Sequence, residues 1–362
     1  MLQVLFLADW IGPMLRRPLE WIHFFGRESG VLALLVTLFT TLCILDFDYA
    51  TRWSVLNEMF NQQALFGVLT LGVGILILAG GIDLSIGSVI GLTSVGFGIL
   101  MREGFSPFTA VLCVLAAGLV IGLIHGLLVT GLKLQPFLVT LCGLFVYRGL
   151  ARILTKKRPG LADTVQTHPE FMNDLDHLRQ LLVGRNIESE FNFPMMIFVA
   201  LILSFILALV LHRSVWGRYW YAIGRNEQAA RYAGINTTRQ RIVVYMLCSL
   251  LASFGGVLTF LEVGSVTPET TGETWELYAI TGAVLGGCSL RGGEGSILGM
   301  ILGAAVLPLL RNLINLVGNI PAVRAIVPAI DPVIPIIIGL TLLAGTFADE
   351  LIRRSAARKR TI

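Results

Sequence analysis

Runs of about twenty apolar residues recur along this chain, and they constrain its fold more than any other feature. An α-helix rises about 1.5 Å per residue, so about 20 such residues match the roughly 30 Å hydrocarbon core of a bilayer. Candidate spans fall at 29–47, 60–80, 82–101, 107–131, 136–154, 194–212, 242–261, 275–290, 296–316 and 326–347. The second and third are nearly continuous through Gly80-Gly81-Ile82-Asp83, as two spans or as one broken helix. The pattern predicts an all-α polytopic membrane protein with about ten transmembrane helices. Only 14% of the 362 residues are charged, where a soluble chain has about 25%. Disorder is excluded by that balance. A soluble cytosolic enzyme or a secreted disulfide scaffold fits it poorly. The five cysteines lie in or beside apolar runs and read as small buried hydrophobes.

Charge placement then predicts sidedness. Residues 213–241 hold Arg213, Arg218, Arg225, Arg231, Arg239 and Arg241 against Glu227 alone. The C-terminal residues 348–362 are also basic. The connection 262–276 carries Glu262, Glu269, Glu273 and Glu276 and no basic residue. Lys and Arg concentrate in cytoplasmic loops. An even span count with both termini cytosolic puts the Arg-rich segment inside and the acidic connection outside. The expected organisation is a cytosolic segment 1–28, a transmembrane domain 29–347 and a basic cytosolic tail 348–362. Within the domain, 155–193 is an extracytoplasmic loop and 213–241 a cytosolic segment. The basic residues gather around no stacking surface, so no nucleic acid is expected as a partner; the lipid bilayer is.

Small residues recur every fourth position at Gly87/Gly91, Gly118/Gly122/Gly126, Gly282/Gly286 and Gly295/Gly299/Gly303. Such stripes let helix backbones approach closely where lipid supplies no hydrophobic drive to associate. Gly80-Gly81 followed by Gly87 and Gly91 is echoed by Gly286-Gly287 followed by Gly295 and Gly299, a faint sign of an internal repeat.

Chemistry of other kinds is missing from the sequence. No lysine follows a glycine, so there is no GxxxxGK[ST] phosphate loop. HExxH and GxSxG are absent too. No catalytic residue, metal ligand or resident cofactor is expected. Residues 214–241 are instead polar and strongly patterned. Asn226 is placed to cap a short helix through Ala233, with Glu227 near its positive end. Gly234 is placed to close it in the left-handed conformation, and Thr237 or Thr238 to cap the next span. Trp216, Trp220 and Tyr221 read as interfacial anchors.

The segment resembles the permease subunits of bacterial ABC sugar importers of the ribose/xylose/galactose type. The resemblance runs from about residue 57 to 347 and rests on four blocks. They are Gly81-Ile82-Asp83-Leu84-Ser85-Ile86-Gly87-Ser88, Pro136–Leu141 with Arg148-Gly149, Gly217-Arg218 through Gly234-Ile235-Asn236, and Glu276-Leu277 through Gly295. It implies a second permease subunit, identical or related, and cytosolic ATPase subunits that bind ATP and Mg. It also implies an extracytoplasmic sugar-binding protein. Asn226, Glu227, Ala230, Arg231, Gly234 and Ile235 would seat in the ATPase. Tyr278 stands where the family usually has Asp.

Several further polar residues have two readings. Asp83 and Ser85 either satisfy backbone at the glycine break or line a solute path. Arg148 is either a structural ion pair or part of that path. Asn312 and Asn315 form a polar stripe for hydroxyl groups or for interhelical bonds. Glu262, Glu269 and Glu273 form a solvated rim or a docking surface for the binding protein. His125 reads as a packing histidine. The substrate reads as a simple sugar, with a nucleoside, autoinducer or polyol as alternatives. A stand-alone secondary carrier is the alternative mechanism.

Overall fold

In a computed structural model, residues 18–155, 167–185 and 193–318 are described, with scattered positions from 336 to 347. The helices are α1 (Pro18–Leu45), α2 (Phe47–Thr51), α3 (Trp53–Leu78), α4 (Ile86–Arg102), α5 (Pro107–Thr130), α6 (Pro136–Leu154) and α7 (Met172–Leu182). They continue as α8 (Met195–Arg213), α9 (Val215–Arg225), α10 (Glu227–Tyr232), α11 (Thr237–Val263), α12 (Trp275–Leu285) and α13 (Ile297–Gly318). Among the described residues, seven helices are long and apolar enough to cross a membrane. The expected last span, 326–347, is described only at those scattered positions, and the loop residues Lys156–Arg158 and the basic tail lie outside what the structure describes.

Two expected spans differ in kind. The continuous stretch 60–101 is interrupted: α3 ends at Leu78 and α4 starts at Ile86. The expected span 275–290 is an eleven-residue helix, α12, about 16 Å long at 1.5 Å per residue and too short to cross. Both α3 and α12 stop in the same way. Gly80 takes φ 79°, and Gly80 N and Gly81 N donate to Ile77 O and Leu76 O. Gly287 takes φ 88°, and Gly287 N and Cys288 N donate to Val284 O and Ala283 O. Each is a Schellman closure. The structural echo therefore pairs Gly80 with Gly287, one residue off the sequence echo.

Helix α11 is the centre, packed on α3, α4 and α5. From Ala64 to Leu78 helix α3 is buried on every side and almost entirely apolar, as an interior span should be; its first turns carry Asn57, Glu58, Asn61, Gln62 and Gln63. Helices α5, α6 and α8 keep one exposed face, with Leu112, Val120, Phe145 and Phe205 outward, as lipid-facing spans do. Cys113 and Cys142 share that outer exposure, which corrects their reading as buried; Cys248 and Cys288 are buried.

The glycine stripes mark backbone-to-backbone crossings. A Cβ on Gly122 would stand 2.5 Å from both Tyr245 O and Met246 Cα of α11. Gly118 and Gly126 flank it against Ser249, Ser253 and Ile242. Gly286 and Gly303 bring α12 and α13 together in the same manner. Overpacking such a contact costs about 1–3 kcal/mol. Gly122→Val should therefore lower the thermal unfolding midpoint of the purified protein clearly. Gly149→Ala, where a Cβ meets nothing within 4 Å, should leave it unchanged or slightly higher.

Candidate functional site

The two helix breaks meet at one end of the bundle, beside α9 and α10. Gly293 N, in the loop after α12, donates to Leu78 O at 2.7 Å. Gly224, near the end of α9, fits between them so closely that a Cβ would collide with Leu78 O and Gly293 N. Tyr221 of α9 donates its hydroxyl to Gly295 O at 2.7 Å. Burial pushes the Tyr221 hydroxyl pKa up, so it stays a donor. Ser296 caps α13 by accepting from Gly299 N at 3.0 Å, and its hydroxyl donates to the buried carboxylate of Glu28 on α1.

Helix α10 is built as the sequence suggests. Asn226 Oδ1 accepts from Ala229 N at 3.0 Å. Gly234 closes the turn at φ 85°. Ala230 is buried, Ile235 half-buried, and Arg231 and Tyr232 are exposed. The cap of α11 is not Thr237 or Thr238 but Asn236, whose Oδ1 accepts from Arg239 N at 2.9 Å. Trp220 is no interfacial anchor either: it is 2% exposed and donates to Gln240 Oε1 at 3.1 Å.

Glu227 carries the contact inward. It pairs with Arg231 one turn on at 3.2 Å, an exposed pair of small value. It also pairs with Arg241 of α11 at 3.0 Å. Arg241 Nη2 in turn donates to Gly80 O at 3.3 Å. A continuous polar chain thus links the surface helix α10 to the first break. Sequence reasoning counted Arg241 only as loop charge. Its position one turn inside α11, against the apolar run, was the signal that it turns inward.

Deeper in the bundle, Asp83 and Ser85 are bonded to each other, and Asp83 satisfies a backbone N–H just after the break. Asp83 Oδ1 accepts from Ser85 N at 2.7 Å and from Ser85 Oγ at 2.6 Å, and α4 begins one residue later. Asp83 Oδ2 lies 3.7 Å from His125 Nδ1, and His125 Nε2 is 2.9 Å from the Tyr147 hydroxyl. His125 is thus packed and half-partnered.

The connection 264–274 is not an open outer rim. Its Gly272 crosses Gly87 of α4 with no space for a Cβ, and Glu276 is buried beside it. Arg148 of α6 holds this re-entrant stretch by donating to Thr271 O at 2.5 Å and Pro268 O at 3.3 Å. Glu269 and Glu273 are exposed. Glu262 is instead half-buried and paired with Arg185 at 2.8 Å. Asn312 accepts from the Tyr49 hydroxyl at 3.1 Å and donates to Pro308 O. Asn315 is half-buried. The structure therefore does not bring the two asparagines to Asp83.

A profile of the family described as a branched-chain amino acid transport system / permease component matches residues 55–340. The ribose import permease protein RbsC of Escherichia coli (strain K12) is 33% identical over 307 residues, 84% of this chain and 90% of that protein. The fructose import permease protein FrcC of Rhizobium meliloti is 30% identical over 352 residues, 95% of this chain and 91% of that protein. The autoinducer 2 import system permease protein LsrC of Yersinia pseudotuberculosis is 32% identical over 282 residues, 78% of this chain and 76% of that protein. No solved structure matches the chain.

Arg148 should act as the clamp of the re-entrant stretch. Hydrogen bonds to a charged group contribute about 1.5–3 kcal/mol. Arg148→Leu is expected to speed amide exchange in 266–274 by about tenfold or more on that scale, while exchange in α11 stays unchanged. Exchange monitored by mass spectrometry checks this.

Proposed function

The chain belongs to this permease family, and on that premise we propose that it is the membrane-spanning subunit of an ATP-driven importer. The solute it passes into the cytoplasm is a simple sugar, the class named by the ribose and fructose relatives. The seven long apolar helices among its described residues make it a multi-pass protein of the bacterial plasma membrane. Work is divided among chains. A cytosolic ATPase binds and hydrolyses ATP with Mg, an extracytoplasmic binding protein delivers the sugar, and a second permease subunit completes the pathway.

One observation carries the mechanism: the chain from α10 through Glu227 and Arg241 to Gly80. A rigid knob that is exposed through Arg231 and Tyr232 and tied on its inner side to a helix break suits a coupling helix. Pushing α10 moves the carbonyl end of α3, and Tyr221 and Gly224 move the second break with it. Both breaks sit where two short-ended helices meet, so a small displacement there reorients α4 and α13 together. Asp83, buried between α4 and α5, then rides on the moving element. A secondary carrier has no need of such a knob. Another small polar solute, autoinducer 2 among them, uses the same machinery.

Uptake of radiolabelled D-ribose and D-fructose in cells holding the complete complex tests this. Uptake should vanish when the ATPase cannot hydrolyse ATP; persistence overturns the reading. Arg241→Met should cut uptake about tenfold or more, by the loss of charge-assisted bonds of about 1.5–3 kcal/mol, yet leave ATPase association intact. Gly234→Pro, which cannot adopt φ 85° and loses the bond from Gly234 N to Arg231 O, should abolish association itself. Pull-down of the ATPase separates the two outcomes.

A further inference from the structure

A cavity of about 400 Å³ lies at the end of the bundle opposite α10. That volume falls in the range of small-molecule sites, about 300–1,000 Å³. Its walls include Asn61, Gln62 and Phe66 of α3, Arg185 beyond α7, Glu262 near the end of α11 and Trp275 opening α12. Asn61 is seventeen residues from Leu78, about 25 Å along a helix, so this cavity is remote from the breaks and from α10.

The polar walls are left incomplete. Asn61 Oδ1, Gln62 Oε1, Glu262 Oε2 and Arg185 Nε are all buried and have no hydrogen-bond partner among the described residues. One such atom costs about 1–3 kcal/mol, and native interiors hold few of them. Here four belong to residues that line one cavity, although the atoms themselves lie beneath its surface. Their other atoms are already engaged with one another. Arg185 Nη1 donates to Glu262 O at 2.9 Å, and Arg185 Nη2 pairs with Glu262 Oε1 at 2.8 Å. Asn61 Nδ2 donates to Glu262 Oε1 at 3.3 Å, and Gln62 Nε2 to Glu58 Oε1 at 2.9 Å. These bonds fix the frame of the wall.

The lining selects a ligand chemistry. The walls mix amide, carboxylate and guanidinium groups, and hydroxyl groups, which both donate and accept, suit all of them. An anion would meet the carboxylates of Glu58 and Glu262; a cation would meet Arg185 and Arg311. Trp275 adds an aromatic wall, held edge-on by Phe66 at 5.5 Å, suited to the apolar face of a sugar ring. Phe66 touches Tyr278 in the same way, at 5.5 Å. Tyr278 lines a small adjoining cleft that shares Gln62, Phe66 and Arg311 with the cavity. The position where an Asp was expected thus presents an aromatic ring next to the cavity.

We infer that this cavity is an outer binding site for a neutral, hydroxyl-rich ligand, a monosaccharide in the importer reading on which that identity rests. It takes the sugar before the re-entrant stretch and the breaks move. Glu262 is then a wall of the site and no longer a free docking carboxylate.

The test uses spheroplasts that hold the complete complex with a cysteine at Val263, an exposed residue of the cavity lining. Labelling of Val263→Cys by a membrane-impermeant maleimide is followed by mass spectrometry at that residue. D-Ribose or D-fructose should slow it saturably, while glycine betaine, which has no hydroxyl, should not. Adding Asn61→Leu or Glu262→Gln should raise the half-protecting concentration about tenfold, the effect of one lost hydrogen bond from the wall to the ligand. An unchanged thermal midpoint in Glu262→Gln certifies the fold. Import of sugar without any protection overturns the site and leaves the importer reading standing. Protection without import by the unmodified complex overturns the importer reading and leaves the site standing. Full protection in Glu262→Gln, with capture of the binding protein lost, makes Glu262 a docking residue and overturns the site.

Discussion

Inside a bilayer, every backbone N–H and C=O must find a partner within the protein. This chain breaks its helices twice at the α10 end of the bundle, after Leu78 and after Leu285, among packed elements where the freed groups also need partners. It supplies them by joining the breaks. Gly293 N takes Leu78 O, Arg241 takes Gly80 O, and Tyr221 takes Gly295 O. All three bonds connect a break to another element. A break cannot move without the segment that supplies its partner, and two of the suppliers, Tyr221 and Arg241, flank α10. The requirement that makes the breaks tolerable is therefore also what makes them coupled.

Close packing serves the same end. Lipid gives helices no hydrophobic reason to associate, so contact must come from small residues. Gly118, Gly122 and Gly126 seat α5 directly on the α11 backbone, and Gly286 and Gly303 do so between α12 and α13. The re-entrant stretch is admitted at Gly87, which crosses Gly272, and is held by Arg148. Glycine contacts of this kind have almost no slack, so elements slide or tilt as units. The outer cavity differs. Its polar lining is fixed by bonds among Arg185, Glu262 and Asn61 but is left with unpaired atoms.

Much of the local architecture was legible because its causes are local. Asn226, Gly234 and the short helix between them follow from capping geometry that a few residues decide. Where two neighbouring candidates compete, local reasoning loses resolution, as when Asn236 rather than Thr237 caps α11. Trp220 was misplaced because an aromatic beside arginines looks interfacial, and only its bond to Gln240 shows it turned inward. Asp83 was placed correctly at the break, but its facing of His125 joins residues far apart in the chain.

The sequence by itself determined that this is an all-α membrane protein of a sugar-permease kind, that its charge is concentrated on one segment, and that Gly80-Gly81 is one place where a helix can break. Those features depend on composition, on helix length against bilayer thickness and on glycines whose backbone freedom is written at their own positions. The tertiary structure alone decided what the interruptions touch, that the acidic connection folds back to Gly87, and that Asn61, Arg185, Glu262 and Trp275 enclose one cavity. Such meetings join residues separated by as many as 201 positions, as in the bond from Asn61 to Glu262. No local periodicity encodes them, because they arise only when whole helices pack.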